Sequence, residues 1–400
     1  MGLNDTASGE RLHIGFYGLR NAGKSSLVNA VTGQQLSVVS DFKGTTTDPV
    51  KKAMELLPLG PVVIIDTPGI DDEGELGLLR VKKAKEALSS TDIAVLVVDA
   101  TAGITEKDKM LISMFDERKT PYITAYNKCD LLNSKNELKE GEIYVSAEKG
   151  EGIHELKEML GKFNTSEKKQ KYVVADLLSP GDTVILVIPI DEAAPKGRLI
   201  LPQQQTIRDI LEAGCIPVCC RDTELTETLA SLKKKPAMVI TDSQAFGKVS
   251  RLVPEDIKLT SFSILFARYK GDLTELIKGA SVLSKLSEGD KILISEGCTH
   301  HRQCGDIGSV KIPMWIEKFS GVKPQYTFTS GGEYPDDLDT YKLCVHCGGC
   351  MLNEKEMQSR IERAKKAGLS MVNYGIAIAH MHGILKRSLE IFPDILALLD

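Results

Sequence analysis

Two short stretches of this chain carry side chains able to do chemistry. Near the beginning, "GLRNAGKSS" (Gly18 to Ser26) places four residues between Gly18 and Gly23 and follows them with Lys24 and Ser25. Glycines let backbone N–H groups turn onto a phosphate chain, a lysine supplies a point charge to the β- and γ-phosphates, and a hydroxyl can ligate Mg2+. Asn21, Ala22, Gly23, Lys24, Ser25 and Ser26 are therefore the candidate phosphate-binding run. Near the other end, "EGCTHHRQC" (Glu296 to Cys304) and "KLCVHCGGC" (Lys342 to Cys350) gather thiols and imidazoles, the ligands that soft metals prefer.

More of the first chemistry follows in order. "DTPG" (Asp66 to Gly69) closes the apolar run "VVIID", where Asp66 can hold a magnesium-bound water and the Gly69 N–H can meet the γ-phosphate. Lys24, Asp66 and Gly69 are thus candidates for the hydrolytic set. "NKCD" spans Asn127, Lys128, Cys129 and Asp130, and the Asp130 carboxylate can accept from guanine N1 and N2, a contact adenine cannot make. "SAEKG" from Ser146 and Ala147 supplies a loop to set a backbone N–H on guanine O6.

These four elements resemble the translation-factor class of small GTPases, in the branch related to Era and TrmE, the tRNA-modification GTPase, over roughly residues 10 to 162. The resemblance implies that Thr46 of "GTT" joins Ser25 on magnesium, and that Asn21 helps bind a K+ ion standing in for an arginine finger. It implies slow, K+-stimulated hydrolysis of GTP to GDP and phosphate. Ile70 stands where Ras-like proteins carry the Gln that orients water, and "SAE" departs from the usual SAK, a departure at a contact made mainly by backbone.

For the cysteine end, a zinc tetrahedron and a [4Fe–4S] cluster are both open to these residues. Cys298 and the pair Cys347 and Cys350 each follow an apolar run, and ligands gather outside the carboxyl ends of parallel strands. Gly348 and Gly349 let a loop wrap a bulky centre, and Asn353 can cap a helix whose positive end faces it. Cys344 falls inside an apolar run and is expected in the core, as are Cys215, Cys219 and Cys220; Cys129 belongs to the base motif. His380 and His382 read as core or solvent residues, whereas His301 and Cys304 are further ligand candidates.

Cys298-x-His300, 45 intervening residues, then His346-Cys347-x2-Cys350 resembles the signature of the GTPase scaffold family of [FeFe]-hydrogenase maturation, a likeness that runs the length of the chain. It implies that Cys298, Cys347 and Cys350 bind three irons of a [4Fe–4S] cluster, with an exchangeable fourth ligand for which His300 and His346 are candidates. It also implies a transient di-iron precursor passed to apo-[FeFe]-hydrogenase, two radical S-adenosylmethionine maturases as partners, and a homodimer through the middle of the chain. The GTPase would act as a switch for this scaffold and carrier.

Elements must position both sites. Residues 12 to about 160 alternate β-rich runs with helical patterns, which predicts a mostly parallel sheet covered on both faces. The polar run "NTSEKKQK" reads as a linker, after which the alternation restarts as a three-strand unit. A third set reads "SFSILFARY" and "SMVNYG" as strands and the C-terminal stretch as one helix to Leu399. The expected fold class is α/β: an Era/TrmE-like P-loop GTPase domain (1–165), a small α/β dimerisation domain (172–258) and an α/β iron–sulfur cluster-binding domain (259–400).

Composition narrows the function classes. A chain of 400 residues with 42% hydrophobic and 26% charged content is globular, and its net charge of -5 gives no global field for nucleic acid or an anionic membrane. No apolar run approaches the roughly 18 residues that span a bilayer, so a cytoplasmic protein without nucleic-acid or membrane partners is expected. "MGLNDT" matches only the loose myristoylation pattern, and nine cysteines without a secretory signal read as reduced thiols or metal ligands. Two other readings fit less of the sequence: a nucleic-acid-linked Era-like GTPase with structural zinc, and a redox protein whose cluster carries electrons.

Overall fold

A computed structural model of the chain describes residues 8–34, 49–70, 74–165, 171–190, 199–297 and 306–397. Thr46, Cys298, His300, His301 and Cys304 lie outside them, as does the N-terminal "MGLNDT". The described residues divide into two compact units, one within 8–165 and one within 171–397.

The first unit runs β1 (Leu12–Gly18), α1 (Lys24–Thr32), β2 (Val50–Leu56), β3 (Gly60–Asp66), α2 (Gly74–Ser89), β4 (Ile93–Asp99), α3 (Glu106–Glu117), β5 (Tyr122–Asn127), β6 (Glu142–Tyr144) and α4 (Ile153–Thr165). Its strands form one sheet in the order β2-β3-β1-β4-β5-β6. β2 pairs antiparallel with β3, and the other pairings are parallel. β1 and β4 are apolar along nearly their whole length because helices cover both faces, burying Ile14, Phe16, Val95 and Val97 with Leu27 and Leu156 on one side. β2, a polar edge strand, was not anticipated: only Leu56 of its seven residues is buried, so its sequence lacks an apolar signal.

The second unit holds two four-stranded sheets, each wholly parallel. The first is built from β7 (Thr183–Val187), α5 (Leu201–Glu212), β8 (Ile216–Cys220), α6 (Leu225–Ser231), β9 (Met238–Thr241), α7 (Phe246–Leu252) and β10 (Lys258–Ser261), in the order β10-β9-β7-β8. α8 (Phe262–Lys270) and α9 (Leu273–Ala280) lead into β11 (Lys291–Glu296), α10 (Ile312–Ser320), β12 (Gln325–Ser330), β13 (Leu343–His346), α11 (Glu354–Lys366) and β14 (Ser370–Asn373), ordered β12-β11-β13-β14. Three short helices close the chain, α12 (Tyr374–Met381), α13 (Leu385–Leu389) and α14 (Pro393–Leu396). In each sheet the first strand is flanked by the second on one side and the third on the other, so the connections diverge from one crevice at the carboxyl ends. One continuous core, with Leu186, Ile240, Phe266, Ile294, Val345 and Ile376, joins the two sheets.

Several expectations change here. "SFSILFARY" is not a strand but α8, with Ser261 as its N-cap accepting from Ile264 N; the helix is apolar nearly all round because it is packed on all sides. The middle sheet has four strands rather than three, gaining β10. The expected last helix is broken into three, with Gly383 at φ 72° between α12 and α13. Cys215 and Cys220 are buried as expected, whereas Cys219 is exposed, since β8 is an edge strand whose alternate residues face outward. Among the described residues no helix is long and apolar enough to cross a membrane.

Candidate nucleotide site and candidate metal centre

The nucleotide residues collect at the carboxyl ends of β1, β3 and β5. β1 ends at Gly18, and the loop to Lys24 folds so that Gly23 takes φ 84°, where a Cβ would stand 2.2 Å from Asn127 Nδ2; only glycine fits. Asn127 is buried and ties three loops together: its Nδ2 donates to Ala22 O at 2.9 Å and its Oδ1 accepts from Ala147 N at 3.0 Å. Asn21 sits in the same loop at φ 60°. Lys24 is buried and its ammonium donates to Leu19 O at 2.7 Å, curled across the loop that would hold phosphate.

Ser25 Oγ donates to Asp66 Oδ2 at 2.8 Å, while Asp66 Oδ1 is buried with no hydrogen-bond partner among the described residues. A hydroxyl beside a carboxylate with one oxygen unused is the donor set a hard divalent cation takes, so these residues fit Mg2+. Gly69 comes so near the preceding loop that a Cβ would lie 2.8 Å from Arg20 Cα, which leaves no other residue type room. Asp130 follows in the turn Cys129–Leu131, which Cys129 N pins to Val145 O at 3.1 Å. Ser146 is buried, with its Oγ accepting from Lys149 N at 3.1 Å; Ser26 lies in the first turn of α1. Sequence reasoning missed Asp99, at the end of β4, whose carboxylate receives Lys128 Nζ at 2.6 Å and Thr101 Oγ1 at 2.6 Å. The one available signal was a lone acid closing the apolar run "IAVLVVD".

At the other end, β13 delivers His346 into the core and Cys347 to the carboxyl edge of the sheet. Cys347 N donates to Ser295 O at 2.9 Å, and the Cys347 sulfur accepts from Gly297 N at 3.0 Å and Gly349 N at 3.4 Å. Burial pushes the Cys347 thiol up to about 11, opposed by those two N–H groups. Burial also raises the Cys350 thiol. α11 begins just beyond, capped by Asn353 Oδ1 accepting from Glu356 N at 3.0 Å, as its sequence predicted. Two sulfurs beside backbone N–H donors and a helix start suit an anionic metal–sulfur centre. Among the described residues, however, no group of three His, Cys, Asp or Glu side chains stands ready for a metal ion; Cys298 and His300 fall outside them.

His346 does not serve as a ready ligand in this conformation. It is wholly buried; Nδ1–H donates to Cys347 O at 2.7 Å and Nε2 accepts from Arg360 Nη1 at 3.1 Å, so both ring nitrogens are engaged. Burial, helped by the Arg360 charge, pulls its pKa down to about 3 and keeps the ring neutral. Arg360, 1% exposed, also donates to Glu356 Oε1 at 3.0 Å and to Gly331 O at 2.6 Å, and lies 5.2 Å over the Tyr334 ring. Replacing Arg360 by Met should cost about 3–5 kcal/mol, since it withdraws the cation from Glu356 and His346 together; a urea unfolding midpoint unchanged from the parent would disprove this. Cys344 is buried in β13, its thiol raised to about 12 by burial, and Cys129 is buried in the base turn, so neither is poised as a ligand. His380 is half-buried and His382 exposed.

A mostly parallel sheet with a phosphate loop, a DTPG turn and an NKCD turn along its carboxyl edge defines the first unit as a P-loop GTPase domain. A family model for a 50S ribosome-binding GTPase matches residues 13–128. A model for the hydrogen maturase F dimerization domain matches 173–271, and one for the hydrogen maturase F tetramerization domain matches 274–391. The chain belongs to the hydrogen maturase F family, and residues beyond the GTPase domain are oligomerisation domains.

Among curated relatives it is similar to GTPase Der of Kosmotoga olearia, 34% identical over 189 residues, 42% of each chain. It is also similar to tRNA modification GTPase MnmE of Nitrosomonas europaea, 34% identical over 159 residues, 38% of this chain and 34% of that one. The match thus spans less than half the length of these relatives. A crystal structure of Era from Aquifex aeolicus bound to GDP and aluminium fluoride is 20% identical, covering 52% of this chain and 92% of that one at a TM-score of 0.35.

Proposed function

We propose that this chain is a GTP-hydrolysing scaffold and carrier that binds a [4Fe–4S] cluster with an exchangeable fourth ligand, and that assembles and transfers the di-iron precursor to apo-[FeFe]-hydrogenase. In this reading 1–165 hydrolyses GTP, 172–258 joins two copies into a homodimer, and 259–400 carries the cluster. The precursor is cargo, received from two radical S-adenosylmethionine maturases, and the whole cycle is cytoplasmic. The observation that supports it most is Cys347, a sulfur already met by two backbone N–H groups in a chain that also carries the GTPase set.

On the nucleotide side, Lys24 holds the β- and γ-phosphates, Ser25, Thr46 and Asp66 serve Mg2+, and Gly69 meets the γ-phosphate. Gly18, Asn21, Ala22, Gly23 and Ser26 wrap the phosphates; Asn127, Lys128, Asp130, Ser146 and Ala147 form the guanine pocket. On the metal side, Cys298, Cys347 and Cys350 would hold the cluster, which supplies an iron open to an exchangeable ligand. His300 and His346 are the imidazole candidates for that position; without a metal the His346 ring is held by the Cys347 carbonyl and Arg360, and ligation through Nε2 would displace Arg360. γ-Phosphate contacts order switch segments and hydrolysis releases them, so GTP turnover adjusts docking and leaves the iron chemistry untouched.

Anaerobic reconstitution followed by metal analysis tests this reading: about four irons and an EPR signal altered by added imidazole or cyanide are expected. Bound zinc without visible absorption would defeat it. Exchanging KCl for NaCl at fixed ionic strength should slow GTP turnover at least roughly tenfold, the scale expected when a positioned charge on the transferring phosphoryl group is lost. Equal rates in the two salts would remove K+ and Asn21 from the mechanism.

A further inference from the structure

Lys270 ends α8, is 3% exposed, and turns its ammonium onto the turn that carries the cysteines. Nζ donates to Leu352 O at 3.1 Å and to Cys350 O at 3.4 Å. The same helix end is fastened to α11, where Gln358 Nε2 donates to Gly271 O at 3.0 Å and to Lys270 O at 3.2 Å. Lys270 falls in the stretch matched by the dimerization-domain model, 173–271, whereas Cys350 falls in that of the tetramerization domain, 274–391. A residue of one module therefore seats the cysteine turn of the other.

An ammonium taken out of water needs acceptors, and two carbonyls of the cysteine turn supply them. That turn is held by one cation behind Cys350, and Arg360 stands behind His346 next to Cys347. A fixed cation in a low-dielectric surrounding favours an anionic centre nearby, and favours its reduced, more negative form more strongly.

We propose that Lys270 is a positioning residue for the metal centre: it fixes Cys350 through its carbonyl and stabilises the reduced state of an iron–sulfur cluster held there, a role that rests on the cluster reading above. The test uses the full chain, anaerobically reconstituted. In Lys270→Met the cluster's midpoint potential is expected to fall, and iron loss to EDTA to accelerate roughly tenfold, as for one lost hydrogen bond to a charged group. Lys270→Arg should return the potential toward the parent value. Gln358→Leu loosens the same helix end but keeps the ammonium, so its urea midpoint should drop while its potential stays put. Iron loading in the parent together with a parental potential and EDTA rate in Lys270→Met would overturn this role alone, as would a Gln358→Leu shift as large as that of Lys270→Met. A parent chain that takes up no iron would overturn the cluster reading with it.

Discussion

Cys347→Ala is expected to leave the anaerobically reconstituted chain without iron–sulfur absorption, while GTP turnover stays within about twofold of the parent, as for independent sites. The Cys347 sulfur accepts from Gly297 N at 3.0 Å and Gly349 N at 3.4 Å, a pair of donors that alanine cannot use. With no iron bound, burial holds this thiol protonated, up to about 11; a metal must displace that proton, and a thiolate is the only form that can bind. In the proposed set of Cys298, Cys347 and Cys350, removing one thiolate would leave two sulfurs for a [4Fe–4S] cluster. GTP hydrolysis should survive because its residues belong to the other compact unit. Iron content equal to the parent would place the cluster elsewhere; loss of GTP turnover together with iron would show that one site props up the other.

How much of this was legible in the sequence differs between the two ends. Lys24, Asp66, Asn127 and Asp130 announce themselves because phosphate and guanine recognition need contiguous residues at strand ends, and each string is short. The pairing of Asp99 with Lys128 went unseen because it joins β4 to the loop after β5, and neither residue type is unusual where it stands. Cys347 and Cys350 were equally plain, but their supports were not. In sequence Arg360 is one more charge on a helix that runs from acidic to basic, yet it is buried against His346, Glu356 and the Tyr334 ring.

Lys270 was hidden by the misread α8. An apolar run with little polar face does not distinguish a buried strand from a buried helix by periodicity, and the aromatic residues of "SFSILFARY" suit either. Its helix signals were present at the ends, Ser261 as N-cap and Lys270-Gly271 as the stop. The surroundings of His346 were likewise not legible. An imidazole beside a cysteine pattern suggests a ligand, but in a strand buried on both faces its ring nitrogens must be satisfied locally, and Arg360 and the Cys347 carbonyl satisfy them.

Asp130→Asn is expected to reverse the nucleotide preference, weakening GTP by about 10^2- to 10^4-fold and making xanthosine triphosphate the better ligand. In the proposed guanine pocket the carboxylate would accept from both guanine N1–H and the exocyclic amine; each such charged hydrogen bond contributes about 1.5–3 kcal/mol, and every 1.4 kcal/mol is a factor of ten. An asparagine amide keeps one acceptor for N1–H but turns a donor toward C2, which clashes with the amine of guanine and matches the carbonyl of xanthine. The exchange is nearly isosteric, and Cys129 N to Val145 O keeps the turn pinned, so the fold should not change. Competition binding with both nucleotides checks it. An unaltered preference for GTP would move the base away from Asp130, and loss of both nucleotides would mean that the side chain shapes the loop instead of reading the base. With the preference reversed, xanthosine triphosphate becomes a means to drive this GTPase alone in a mixture with other GTP-using proteins, and iron transfer that follows its addition would tie the switch to the carrier.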